Sequence, residues 1–416
     1  METESGGIPP RRRVPKLGHK KSMFGCQRCR ARRVKCNEEK PICHNCKRHG
    51  LPCNYDRDTF AKKVSTKPAA TQLFVDGPEQ NDPPEGRSRR MLEAKLMHQY
   101  VTETGMTIAA DEHSSDYYSQ LIPKLSFHSD ALLYSMYCLA ALNIARVYGD
   151  NELEDGAENV ANRYFSMAVR EHNKEIFQVN KNTTDIVCLT SCLMRAATLI
   201  QLHNRNREPY TPPWQWLALT RTSTATFVEA YQLIGPDPNS VAFQLIRANS
   251  HLHDKGNLPQ RGDIQRLQHL MDRSKKLSVG EDWDSEIQDG YERTLTYICN
   301  AMKLMEAEGS SGNLLRMLLM FPMLADERYV KLVKEASPRA LVILAHFFAL
   351  LARYNDVWWV GNVAADEVHG IANTLPEEWQ YLLLWPLEKI KQWATDFPKR
   401  THSKISPARP FKAVQK

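Results

Sequence analysis

Six of the chain's ten cysteines fall inside GCQRCRARRVKCNEEKPICHNCKRHGLPCNY, residues 25–55 of 416. Cys26, Cys29 and Cys36 set the spacing C-x2-C-x6-C, and Cys43, Cys46 and Cys53 repeat it. Two residues between cysteines let both sulfurs reach one tetrahedral zinc at about 2.3 Å, with the intervening amides free to turn toward the thiolates. A single zinc would use four sulfurs and strand two. Two zincs offer eight ligand positions, which six sulfurs fill if two of them bridge. With the first cysteine of each half shared, one zinc takes Cys26, Cys29, Cys36 and Cys43, and the other takes Cys26, Cys43, Cys46 and Cys53. Both shells are then full, so the metal is structural rather than catalytic.

Other uses of the sulfurs fit less well. The amino terminus, METESGGIPPRRRVPKLGHKK, has no apolar stretch of a secretory leader, so a reducing compartment is expected and a disulfide framework is disfavoured. One zinc held by four cysteines, or by three with His44 or His49, would leave the duplicated spacing to coincidence. Cys138, Cys188, Cys192 and Cys299 lie in apolar helical stretches and read as ordinary buried thiols.

Cations crowd the same segment: Arg28, Arg30, Arg32, Arg33 and Lys35 in the first half, Lys47 and Arg48 in the second. Residues 1–63 carry 17 Lys and Arg against 6 Asp and Glu, and residues 397–416 carry 6 Lys and Arg and no acid, which leaves the stretch between them net acidic. Such asymmetry implies an anionic polymer as partner for the basic end and a main body that does not share it. Arg11-Arg12-Arg13 with Lys20-Lys21 fits either a nuclear import signal or a solvated charge run.

The motif C-x2-C-R-x-R-R-x-K-C, the Lys40-Pro41 step ahead of Cys43 and Tyr55 two residues past the last cysteine resemble the fungal Zn2Cys6 binuclear cluster transcription factors. The resemblance implies two Zn2+ with Cys26 and Cys43 bridging, and two short helices around the metals. It also implies a nuclear location, double-stranded DNA as partner at GC-rich, CGG-type triplets, and contact with the transcription machinery. A helix from about Gln27 to Val34 would expose Arg28, Arg30, Arg32 and Arg33, with Lys35 at its end. Arg33, at the position where the family most often has a base-contacting Lys, and Lys35 are then the candidates for guanine O6 and N7. Arg28, Arg30, Arg32, Lys47 and Arg48 would hold phosphates.

The remaining chain must position this module. Residues 1–22 read as a disordered basic segment, 23–56 as the metal module, 57–90 as a Pro/Gly-rich flexible linker, 91–396 as a large all-α regulatory domain, and 397–416 as a basic disordered tail. Helical periodicity recurs over Ala131–Tyr148, with Ser129 or Asp130 as cap and Gly149 as stop, and over Asp185–Leu202, Trp216–Leu233, Asp263–Lys276, Tyr291–Glu308, Pro338–Tyr354 and Trp379–Thr395. About ten helices and no strands are expected. Arg89–Thr104 gives one amphipathic helix, short of the heptads a coiled coil needs, so a homodimer stays open. The most nearly membrane-length apolar run is Ala131–Ala145, and no span is expected.

LMHQY (96–100), SPRALVILAHFFALL (337–351), Trp358-Trp359 and Trp385-Pro386 resemble the regulatory domain of the fungal sterol uptake control protein group. That resemblance admits a small apolar ligand between helices. Enzymatic motifs are wanting: GSSGN (309–313) lacks the lysine of a phosphate loop, His251 and His253 are wrongly spaced for one helix face, and Glu377-Glu378 follow Pro376 as a helix first turn does. The reading is a non-enzymatic, sequence-specific regulator of RNA polymerase II transcription, and the resemblance alone implies service to a fungal secondary-metabolite gene cluster. Its rivals are a sterol- or lipid-responsive activator and a zinc-dependent protein-interaction adaptor.

Overall fold

The computed structural model describes residues 25–32, 34–40, 42–53, 86–110, 112–247, 262–273, 277 and 281–396, the side chains of 112, 113, 221–223 and 245–247 excepted. Arg33, Pro41, Tyr55, the basic amino terminus, the His251–His253 segment and the basic tail lie outside these residues. The chain divides into two compact units, Met1–Phe74 and Val75–Lys416.

In the first unit, α1 (Gln27–Ala31) and α2 (His44–Arg48) each start on a cysteine N-cap. α1 stops short of the expected Val34. The Val34 N–H closes back on the Cys29 carbonyl at 3.0 Å, a six-residue loop that ends a helix and turns the chain. α2 ends the same way, with the Leu51 N–H on the Cys46 carbonyl at 3.0 Å and Gly50 at φ +62°, where the lack of a Cβ avoids strain. Helices this short do not persist in water alone. The buried cluster they share consists of cysteines, with no other apolar side chain among the described residues.

The second unit carries eleven helices of eight or more residues among the described residues and no strand. They are α3 (Arg87–Gln99), α4 (Asp130–Val147), α5 (Ala157–Ile176), α6 (Thr184–Gln201), α7 (Trp214–Ile234), α8 (Ser285–Glu308), α9 (Gly312–Leu324), α10 (Glu327–Lys334), α11 (Pro338–Leu351), α12 (Val363–Thr374) and α13 (Leu384–Asp396). α11 is buried at every residue from Arg339 to Leu351 and is flanked by α8, α12 and α13. α4 packs on α5 and α6, and α7 on α6 and α9.

Local chemistry sets the ends. Ser129 Oγ accepts the Leu132 N–H at 3.1 Å to start α4, and Asp284 Oδ1 accepts the Ile287 N–H at 2.7 Å to start α8. GSSGN is a helix junction: Gly309, at φ +67°, ends α8 and Ser311 Oγ caps α9 through the Leu314 N–H at 3.1 Å. Cys138, Cys188, Cys192 and Cys299 are buried thiols, as their apolar surroundings implied.

Four expectations are corrected. α3 begins at Arg87, inside the expected linker, where Arg89 pairs with Glu93 at 2.8 Å across one turn, and it gives way to a π-helical turn at Tyr100–Thr104. Asp263–Lys276 is not an α-helix: only a 3-10 segment, Gln265–Met271, forms, and Asp272 turns extended. A distant side chain meets the end of this segment: Arg339 Nη1 donates to the Leu270 carbonyl and Nη2 to the Asp272 carbonyl at 3.2 Å, competing for acceptors there. The expected Trp379–Thr395 helix is broken by a 3-10 turn at Tyr381–Leu383, because Pro386 has no N–H for the Leu382 carbonyl. Finally, Thr184–Asn204, rather than Ala131–Ala145, has the length and apolarity to cross a membrane, but it is buried over most of its length in the bundle.

Candidate metal centre and nucleic-acid interface

The two halves of the module repeat each other bond for bond. The Cys29 N–H donates to Cys26 Sγ at 3.5 Å, and the Cys46 N–H to Cys43 Sγ at 3.4 Å. The Cys26 N–H donates to Cys36 Sγ at 3.4 Å, and the Cys43 N–H to Cys53 Sγ at 3.3 Å. N–H groups aimed at sulfur stabilise thiolate, the form that binds metal.

The sulfurs of Cys26, Cys29, Cys43 and Cys46, all buried, lie within 4.8 Å of one another. Three Sγ···Sγ separations, Cys26–Cys43, Cys26–Cys46 and Cys29–Cys43, are each 3.7 Å. Two sulfurs about 2.3 Å from one tetrahedral zinc would stand about 3.8 Å apart, so each of these pairs is spaced as two ligands sharing a metal. They do not fit disulfides, whose S–S length is about 2.05 Å. His44 and His49 are exposed, and His44 opens α2 rather than lying in a loop.

Burial and mutual contact act unequally on these thiols, raising Cys26, Cys29 and Cys46 and leaving Cys43 and Cys53 lowered. Burial, then the neighbouring Cys43, Cys26 and Cys53 thiols, push Cys46 up to about 12. Burial and the Cys26 and Cys43 thiols likewise raise Cys29. At Cys43 burial acts upward too, but hydrogen bonds from the Cys46 amide and from the Cys46 and Cys29 thiols outweigh it and hold the group below its ordinary value. A bound divalent ion supplies the positive charge that lets such thiols deprotonate together.

Sequence reasoning missed one organising residue. Asn37 Oδ1 accepts the His44 N–H at 2.9 Å, and its Nδ2 donates to Glu39 Oε2 at 2.8 Å, tying the loop between the halves to the start of α2. Asn and Asp commonly satisfy helix starts in this way, but here the helix lies seven residues on, outside any local cap pattern.

The cations lie on the outside of this frame. Arg28, Arg32 and Lys35 are exposed along and just beyond α1, Arg30 is half-buried, and Lys47 and Arg48 are exposed on α2. Arg30 therefore departs from the picture of a row of equally free phosphate contacts.

Two family models match the chain: the fungal Zn(2)-Cys(6) binuclear cluster domain over residues 24–61, and the fungal specific transcription factor domain over residues 96–208. A Zn(2)-C6 fungal-type transcription factor of Aspergillus fumigatus is 30% identical over 349 residues, covering 81% of this chain and 87% of that protein. A second Zn(2)-C6 fungal-type transcription factor, from Gibberella zeae, is 23% identical over 445 residues, covering 91% of this chain and 87% of that protein. Sterol uptake control protein 2 of Candida albicans is 34% identical over 74 residues, 18% of this chain and 9% of that protein.

A zinc-cluster module joined to an all-helical body defines a class, the DNA-binding regulators of transcription. Within it, this chain belongs to the Zn(2)-C6 fungal-type transcription factors.

Proposed function

We propose that the module holds two zincs, one on Cys26, Cys29, Cys36 and Cys43 and the other on Cys26, Cys43, Cys46 and Cys53. The observation that carries this reading is the set of three equal sulfur separations. Cys29–Cys43 belongs to the first tetrahedron, Cys26–Cys46 to the second, and Cys26–Cys43 to both, as two bridging ligands require. The metals take the place of the apolar core that a module of this size lacks.

On that scaffold Arg33 and Lys35 donate to guanine O6 and N7 in the major groove, while Arg28, Arg30, Arg32, Lys47 and Arg48 fix register on phosphates. The target is a GC-rich, CGG-type triplet, the site of action is the nucleus, and the regulated genes are a fungal biosynthetic cluster transcribed by RNA polymerase II. A sterol response has less support, because the likeness to the sterol uptake protein spans 18% of the chain. Residues 23–56 are the DNA-binding domain, and the regulatory domain runs from Arg87, where α3 begins, to 396.

Selection of randomised duplexes with the full-length protein tests the reading. Enrichment of a GC-rich triplet is expected. A flat profile would leave the protein-interaction adaptor as the better account.

A further inference from the structure

Between α6, α7 and α9 of the helical unit lies a cleft of about 100 Å³, walled by apolar side chains that include Leu199, Trp216 and Leu319. Two arginines, Arg195 and Arg316, also line it, and among its described lining residues there is no Asp or Glu. The cleft is therefore apolar in its walls and cationic in its polar groups.

Arg195 is held there in an unusual way. Its Nη1 faces Met323 Sδ at 3.3 Å and Met320 Sδ at 3.6 Å, its Nη2 faces Cys192 Sγ at 3.2 Å, and the guanidinium carbon lies 5.3 Å from the centroid of the Phe227 ring. Sulfur is a weak acceptor, and the neighbours of this guanidinium among the described residues are sulfurs and a ring rather than a carboxylate. The buried Arg195 Nε has no hydrogen-bond partner among the described residues. Trp359, 1% exposed and lining the same cleft, carries a buried Nε1 that is equally unpartnered.

Arginine and tryptophan are donors only. Leaving buried donors unpaired is unfavourable, and more so for a charged group. Both orphans lack the same thing, an acceptor, and one of them is a cation whose planar fork matches a carboxylate. The cleft, about 100 Å³, is smaller than the roughly 150 Å³ cavity that accommodates benzene, so a six-membered ring would fill it and extend to its open side.

We propose that this cleft is a binding site for a small organic carboxylate with an aromatic or compact apolar body, its anionic head on Arg195 and Trp359. The apolar ligand that the sequence admits thus gains a charged end. The inference is independent of the zinc module and uses no DNA readout, so each reading stands or falls alone.

Benzoate and benzamide have the same shape and differ in charge, which makes them the probes. Calorimetric titration of the full-length protein should give benzoate binding at least about tenfold tighter than benzamide, the value of one charge-assisted hydrogen bond. Thermal melting should rise with benzoate. Arg195→Met should erase the preference, and Trp359→Phe should weaken benzoate by about three- to tenfold without affecting benzamide to the same degree. Equal affinity for the two probes, or no benzoate binding up to about 10 mM, overturns the proposal. So does an undiminished benzoate preference in a folded Arg195→Met protein; the wild-type comparison decides the matter if that variant does not fold.

Discussion

The two units of this chain solve the problem of a folded interior in opposite ways. In the zinc module the buried cluster is made of cysteines alone among the described residues. In the helical unit a continuous apolar core runs from Leu96 to Trp393, with α11 buried along nearly its whole length. One interior exists because ligands converge on a cation, the other because apolar surface leaves water. The first is all-or-none and reports on metal. The second is distributed, so single losses subtract from it.

Chelation gives the largest expected contrast. Structural zinc is worth on the order of 10 kcal/mol to a small module, so a strong chelator should abolish DNA binding while far-ultraviolet circular dichroism of the full chain falls only slightly. Cys43→Ala should do the same, with both metals lost together; recovery of two tightly bound zincs from this variant contradicts the bridging assignment. A large loss of helicity on chelation would mean that the two interiors are coupled.

Next in size is Arg339→Met, which tests whether the helical core depends anywhere on charge. Arg339 is 1% exposed, pairs with Glu281 at 2.7 and 3.0 Å, and stands over Trp283 and Trp379 at 5.3 and 5.4 Å from their centroids. Removing one partner of a buried pair costs about 3 to 5 kcal/mol, because the other charge is stranded. Urea titration followed by tryptophan fluorescence should show that loss, with zinc content unchanged.

Acid should also act on the helical unit. Burial holds the His172, His203 and His346 imidazoles down at about 4, with the Arg146 and Arg207 charges adding to the effect at His203. His346 is stacked on Trp385 at 5.4 Å, and its Nδ1–H donates to the Val342 carbonyl at 2.9 Å. Between about 6.5 and 4 an unfolded chain binds protons that the folded one does not. The stabilisation is therefore complete above about pH 6.5 and is lost as pH falls toward 4. The urea midpoint should be lower at pH 5 than at pH 7; equal midpoints would remove these histidines from the account.

The smallest effect belongs to Arg33→Ala. It should cost about 1 to 3 kcal/mol on the selected site and much less on random duplex, with melting unchanged. Equal losses on both duplexes would assign Arg33 to the phosphates.

The clustering of cysteines was legible because its members are local: cysteines 17 residues apart in two copies announce a repeated geometry. Helix existence was legible for the same kind of reason, since the buried Val160, Ala161, Tyr164 and Ala168 recur at the helical period in α5. Failures came where a distant partner intervenes. Nothing between Asp263 and Lys276 signals that Arg339, 67 residues beyond Asp272, takes its carbonyl. Likewise the bonding of Arg195 to sulfur is set by α9, more than 120 residues further on. Pro386 was a missed local signal: a residue without an N–H marks a restart and should have divided the last helix.

The matching amide-to-sulfur frames of the two half-modules separate architecture from vocabulary. Five basic residues decorate the first copy and two the second, although the amide-to-sulfur bonds of the copies match. New target preferences can thus arise by editing outward-pointing positions while every bond to the ions is conserved. Transplanting the arginine row of α1 onto α2 would be expected to shift the word-reading edge from one face of the cluster to the other.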